Sequence, residues 1–431
     1  MIKLTPATQS EVTEHVPGPL ASPLYAVKGL GITDLDKALE EIHVRAISRL
    51  APPSPPVRAG DGWVNSSADD ACYYRVTFDP AFSIDAALEH LRAIGGTVAA
   101  AEPTHWRESM AARAVSTPRA EPGFFHPSYH PDQWGIPQID CPSAWRRTRG
   151  DSDIVVAVVD SGVDLNHRDL RPHLLQGVDV VDLPNPTLED GLLLEGTFTG
   201  NRGQPWDEVG HGTHVAGTIS CERTCTAGVV GVTWACSILP VRVLARLDDR
   251  NAKKVRGWGT GLNIATGIRW AVEHGAHIIN LSLGDISPDE YERLAIEYAV
   301  ANNVVVVAAA GNYNKTWPMY PAAFPDVIAV GATDSADQRP DFSGHGNHVK
   351  IYAPGDKIRS TYWGNGMYAS MSGTSMAAPH VTGVAALLLS LSTSLTASDV
   401  RRIIEDTATP AGAPPAGLRR VNAEAALQCA R

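Results

Sequence analysis

Four short apolar, β-branched runs constrain this chain more than any other feature: Ile154 to Val159, Ile278 to Leu283, Val304 to Ala309 and Val327 to Val330. A strand with one wet face alternates apolar and polar side chains, whereas runs of this kind suit strands covered on both faces, as in a parallel sheet. Helical stretches lie among them, at Gly261 to His274 and Pro288 to Ala301. The alternation predicts an α/β fold: a doubly wound, mostly parallel sheet with helices on both faces. Ligands and reacting groups in such sheets gather at the carboxyl ends of the strands. No internal repeat is present.

The chain has 431 residues, enough for one large domain and a smaller one. Residues 1–23 read as an N-terminal extension. Residues 24–106 read as a small α+β domain, with Leu24 to Lys28 and Tyr73 to Phe78 extended, and Asp34 to Leu50 apolar at helical spacing. A second helix is expected over Ile84 to Ile94, followed by an apolar stretch at Thr97 to Ala101. Pro52-Pro53-Ser54-Pro55-Pro56 interrupts this domain as a turn region. Residues 107–132 turn polar and Arg-bearing without periodicity and read as a linker. Residues 133–431 form the large domain.

A net charge of −11 and the lack of a Lys/Arg-rich run give no footprint for nucleic acid. Met1 to Leu50 contains no continuous apolar segment of the signal-peptide kind, so the expected location is cytoplasmic. A trimmed N-terminus, or export independent of a signal, would instead make it a secreted protein. No apolar run suggests a membrane span. Six cysteines are too few for a disulfide scaffold and read as buried thiols, although Cys221, Cys225 and Cys236 are close enough in sequence to leave a disulfide or redox role open.

Four segments carry chemistry. Val158-Val159-Asp160-Ser161-Gly162 delivers a carboxylate at a strand end, and His211-Gly212-Thr213-His214 opens a helix with an imidazole, the natural general base. Ser372-Gly373-Thr374-Ser375 opens a long apolar helix whose exposed N–H groups favour developing negative charge, and Pro379 is expected about one turn in. Ala309-Ala310-Gly311-Asn312 ends a strand with an amide able to donate to an oxyanion. Singly, each is an ordinary turn or cap residue. Together, Asp, His and Ser stand in one of the known chain orders of a serine-hydrolase triad. A metal hydrolase using His211, His214 and His345 or His348 is the rival on the same residues. It lacks the glutamate and the histidine spacing of the helical zinc motif.

Asp160-Ser161-Gly162-Val163-Asp164, His211-Gly212-Thr213-His214-Val215-Ala216-Gly217 and Gly373-Thr374-Ser375-Met376-Ala377-Ala378-Pro379 resemble the three motifs of the subtilase family of serine peptidases, and the similarity runs from about Gln133 to the C-terminus. The resemblance implies that Asp160 orients His211, that His211 takes the proton of Ser375, and that Asn312 and the Ser375 N–H hold the oxyanion. It implies a polypeptide substrate added as a strand between two edges, Gly257 to Gly261 and Ser282-Leu283-Gly284, with Gly257, Gly259, Ser282, Leu283 and Gly284 as binding residues. The N-terminal domain resembles the family's propeptide, cut in the 107–132 linker and then retained as an inhibitor; a permanently attached accessory domain is the alternative. No cofactor is implied for the chemistry. Asp169 matches an acidic calcium ligand of some relatives, which leaves a structural calcium open, although Ser220 to Ala227 supplies no Asn and one carboxylate is few for a hard cation. The alternative from another class is a peptide-binding module without turnover.

Overall fold

The computed structural model describes residues 2–4, 30, 32–49, 57–59, 62–64, 73–78, 83–94, 97–110, 113–116 and 129–430, apart from 184–187, 189–190, 199–202, 223–227, 365–366 and 413–416. The chain divides into two compact units, Met1–His105 and Trp106–Arg431.

In the N-terminal unit, four antiparallel strands lie in the spatial order Val44–Arg49, Tyr73–Phe78, Ile2–Leu4, Val98–Ala101. Helices Thr33–Glu41 and Ile84–Arg92 accompany them, the second capped by Ser83, whose Oγ accepts the Ala86 N–H at 3.1 Å. Leu35, Leu39, Ile42, Ile47, Tyr74, Leu91 and Val98 form the core. Two expectations fail here. Ile2–Leu4, counted with the extension, is an inner strand with Ile2 and Leu4 fully buried; three residues are too few to show a period. The helical spacing expected over Asp34 to Leu50 holds only to Glu41. His43, at a φ of 51°, turns the chain into the Val44–Arg49 strand. Leu24 to Lys28 and Pro52 to Pro56 lie outside the described residues.

The larger unit is built on a nine-stranded sheet in the order Val178–Asp179, Ser237–Arg242, Val155–Asp160, Ile278–Leu281, Val305–Ala309, Ile328–Thr333, Ile351–Pro354, Leu418–Arg420, Thr409–Ala411. Every neighbouring pair is parallel except the last. The chain runs from Val155–Asp160 to Ser237–Arg242 on one side, then returns to Ile278–Leu281 on the other. Asp160 therefore ends a strand where the winding reverses, the place where open α/β sheets put their ligands. Helix Thr374–Leu391 passes through the core with Met376, Ala377, Val381, Val384, Leu387 and Leu388 buried. By length and composition it is apolar enough to cross a membrane, but it is the buried centre of a folded unit. Pro379 stands inside this helix, one turn beyond Ser375.

Two smaller antiparallel sheets line the carboxyl edge. One has the order Leu192–Glu195, Ala245–Asp249, Lys254–Thr260, Trp106–Ser109, Leu283–Gly284; the other has the order Ile358–Tyr362, Met367–Ser372, Arg113–Ser116. Trp106–Ser109 and Arg113–Ser116 fall in or beside the stretch expected as linker. Their composition carries no strand signal because backbone pairing with existing edges makes them strands.

Candidate active site

The helix His211–Ile219 starts at Gly210, whose φ of 93° only glycine adopts without strain. The helix lies so close to the Asp160 strand that a Cβ on Gly212 would meet the Gly162 carbonyl oxygen at 2.1 Å. Asp207 fixes this start. Its Oδ1 accepts from Val209 N at 2.9 Å, Gly210 N at 2.8 Å and Ser161 Oγ at 2.9 Å, and its Oδ2 accepts from Thr213 N at 2.9 Å and Thr213 Oγ1 at 2.6 Å. Burial pushes the Asp207 carboxyl up, and these donors oppose that shift.

Within this frame His211 Nδ1 donates to Asp160 Oδ1 at 2.7 Å, both side chains being buried. Asp160 Oδ1 also accepts the Ser161 N–H at 2.7 Å. A ring that donates from Nδ1 to a carboxylate presents Nε2 as its acceptor. His211 Nε2 is buried and has no hydrogen-bond partner among the described residues.

Ser375 lies at the start of the core helix, its side chain buried. Its Oγ donates to the Ser282 carbonyl oxygen at 2.9 Å, and Ser282 Oγ donates back to the Ser375 carbonyl oxygen at 2.9 Å. That carbonyl is open because Pro379, four residues on, has no N–H to offer it. Ser375 N donates to the Met110 carbonyl oxygen at 3.3 Å, and Asn312 Nδ2 donates to the same atom. The Asn312 amide is turned this way because its Oδ1 accepts from Thr374 N at 2.9 Å and Thr374 Oγ1 at 3.0 Å. Two donors from different elements thus converge on one carbonyl oxygen.

That carbonyl belongs to a segment held from both sides. Trp258, Gly259 and Thr260 pair with Glu108, Arg107 and Trp106, while Leu283 and Gly284 pair with Ser109 and Glu108. Met110 N donates to Ser282 O at 3.1 Å, and Gly257 N donates to Ser109 Oγ at 3.1 Å. All five residues expected to bind a peptide, Gly257, Gly259, Ser282, Leu283 and Gly284, therefore lie along the segment Trp106 to Met110. A cleft of about 710 Å³ runs past Glu108, Met110, Val209, His211, Asn312 and Tyr313.

The subtilase family model matches residues 151–423, which span the candidate Asp, His, Asn and Ser. The chain belongs to the subtilase family. Thermitase of Thermoactinomyces vulgaris is 40% identical over 65% of this chain and 90% of its own length. Subtilisin Savinase of Lederbergia lenta is 38% identical over 68% of this chain and 98% of its own. A solved protease from Pseudoalteromonas arctica matches with a TM-score of 0.60 and 28% identity, covering 70% of this chain and 98% of the other. As a subtilase, the chain is a serine endopeptidase.

Other residues of this subtilase are structural. His214 Nε2 meets the Ile358 carbonyl oxygen at 2.9 Å, and burial lowers its pKa to about 3, so it is a neutral core histidine. Among the described residues, no group of three or more His, Cys, Asp or Glu is placed to hold a metal ion, so the site with His345 or His348 does not assemble. Asp169 Oδ2 accepts from Tyr368 OH at 2.7 Å and from Val229 N at 3.4 Å, and residues 223–227 of the neighbouring loop lie outside the described residues. Cys221 and Cys236 are free, buried thiols whose pKa values burial raises; Cys225 lies outside the described residues. Asp207, Thr374 and Met110 escape a reading of the sequence. Only Asp207 carries a local signal, an acidic residue shortly before a helix start.

Proposed function

We propose that this chain hydrolyses peptide bonds with Ser375 as nucleophile, His211 as general base and then general acid, and Asp160 holding the imidazole. Its first substrate is its own bond between Met110 and Ala111, so that it is made as a self-inhibited precursor. One observation carries this reading: the Met110 carbonyl oxygen accepts from both Ser375 N and Asn312 Nδ2, at the end of a segment paired to both edges of the groove.

The steps follow from the donors and acceptors present. The Ser375 hydroxyl leaves the Ser282 carbonyl and gives its proton to His211 Nε2 as its oxygen bonds to the Met110 carbonyl carbon. Negative charge collects on the Met110 oxygen, where the two N–H donors already point. His211 passes the proton to the Ala111 nitrogen, the C–N bond breaks, and Met110 is left as an ester of Ser375. Water, deprotonated by the same imidazole, releases the Met110 carboxylate and restores the serine. No cofactor enters these steps. The product strand keeps its backbone pairing, so residues 1–110 act as an inhibitor until they are released; polypeptides then take the same groove.

The test is labelling with a fluorophosphonate, read by intact mass after prolonged incubation. A single adduct on Ser375, absent from Ser375→Ala, is expected. Folded wild-type protein that takes no adduct, whether residues 1–110 are still bound or have been removed, overturns the reading in favour of a peptide-binding module without turnover.

A further inference from the structure

The residue four positions before the candidate scissile bond is a buried arginine. Arg107 is 1% exposed, in a strand whose neighbours Trp106 and Glu108 face outward. Its Nε donates to Glu292 Oε1 at 2.8 Å and its Nη2 to Glu292 Oε2 at 2.9 Å, the two-pronged geometry of a guanidinium on a carboxylate. Nη2 also donates to the Ser287 carbonyl oxygen at 3.0 Å. Glu292 is fully buried in the first turn of helix Glu290–Ala301, and its carboxylate has no other hydrogen-bond partner among the described residues. Asp285 and Asp289 add negative charge nearby. Without an arginine from the bound strand, this pocket holds a buried, unmatched carboxylate.

Resting on the reading above, in which Trp106 to Met110 occupies the substrate groove, we infer that Glu292 is a specificity-determining residue that selects arginine four positions before the bond to be cut, in the precursor and in other polypeptides. A buried charge left unpaired penalises every competitor, so the selection acts by rejection as much as by attraction. Lysine lacks the fork and fills it poorly. The neighbouring contacts are weaker selectors. Glu108 meets Arg256 Nη1 at 3.0 Å and Tyr313 OH at 2.8 Å, but Arg256 and Glu108 side chains are 36% and 26% exposed, where screening leaves an ion pair little. Trp106 stacks on Trp258 with centroids 3.6 Å apart, a contact that any flat side chain can share.

The experiment uses the self-processed full chain and quenched peptides of sequence Trp-X-Glu-Ser-Met-Ala, with X as Arg, Lys, Leu or Glu. Wild type is expected to favour Arg over Leu by about a hundredfold in kcat/KM, with Lys between them and Glu uncut, on the scale of an unpaired buried charge. Glu292→Leu is expected to reverse the order and cut the Leu peptide best. Wild type that cuts all four peptides within a few-fold of one another overturns this inference and leaves the function standing. Wild type that cuts none, under conditions in which it hydrolyses casein, overturns instead the placement of this segment as a substrate. Because the comparison is made on wild type, it does not depend on the folding of the variant.

Discussion

Thr374 donates from both its backbone N–H and its hydroxyl to Asn312 Oδ1, at 2.9 and 3.0 Å, and so points the Asn312 amide nitrogen at the Met110 carbonyl oxygen. The same hydroxyl accepts the Gly311 N–H at 3.1 Å. One side chain thus ties the strand end that carries Asn312 to the helix start that carries Ser375. Asn312→Leu is expected to lower kcat by about a hundred- to a thousandfold with KM nearly unchanged. Thr374→Ala keeps the backbone bond and is expected to lose less. Steady-state kinetics on one peptide substrate check both.

Asp160 fixes which imidazole nitrogen accepts a proton. Asp160→Asn leaves the shape but offers an amide to His211 Nδ1, favouring the wrong tautomer; kcat is expected to fall by about ten-thousandfold near neutral pH. Circular dichroism like that of wild type, together with the kinetics, separates this from unfolding.

Gly212 has no room for a side chain, since its Cβ would lie 2.1 Å from the Gly162 carbonyl oxygen. Backbone does not yield as a side-chain tip does, so Gly212→Ala must push the His211 helix away from Asp160. Loss of most activity and a lowered midpoint in urea are expected; wild-type kinetics would contradict the close packing.

His214 and His380 are buried neutral, with pKa values lowered by burial to about 3 and about 4. Each gains a proton on unfolding below its unfolded value of about 6.5. Stability tied to these groups is therefore present above pH 6.5 and is lost as pH falls towards 4, at about 1.4 kcal/mol per pH unit for each. Urea midpoints of Ser375→Ala, which removes self-digestion, are expected to fall across that window, and His380→Gln is expected to make the fall shallower.

Much of this was legible in the sequence. The buried runs foretold the parallel sheet because a strand covered on both faces is apolar along most of its length, and Asp160, His211, Asn312 and Ser375 stood at element ends, where glycine and small residues mark sharp turns. What stayed hidden depends on pairing between distant segments. Nothing local marks Trp106 to Met110 as a strand, since its partners lie about 150 residues away or more. Arg107 read as linker polarity, and nothing local singles out Glu292 among the charges of its helix. Ile2–Leu4 was too short to betray its place inside a sheet.

The most direct test of the account is intact mass and N-terminal sequencing of wild-type protein and of Ser375→Ala after purification and incubation. Wild type is expected to yield one fragment ending at Met110 and one beginning at Ala111, while Ser375→Ala keeps all 431 residues in one chain. A wild-type chain that is cut elsewhere or stays whole, or the same cut in Ser375→Ala, would contradict it.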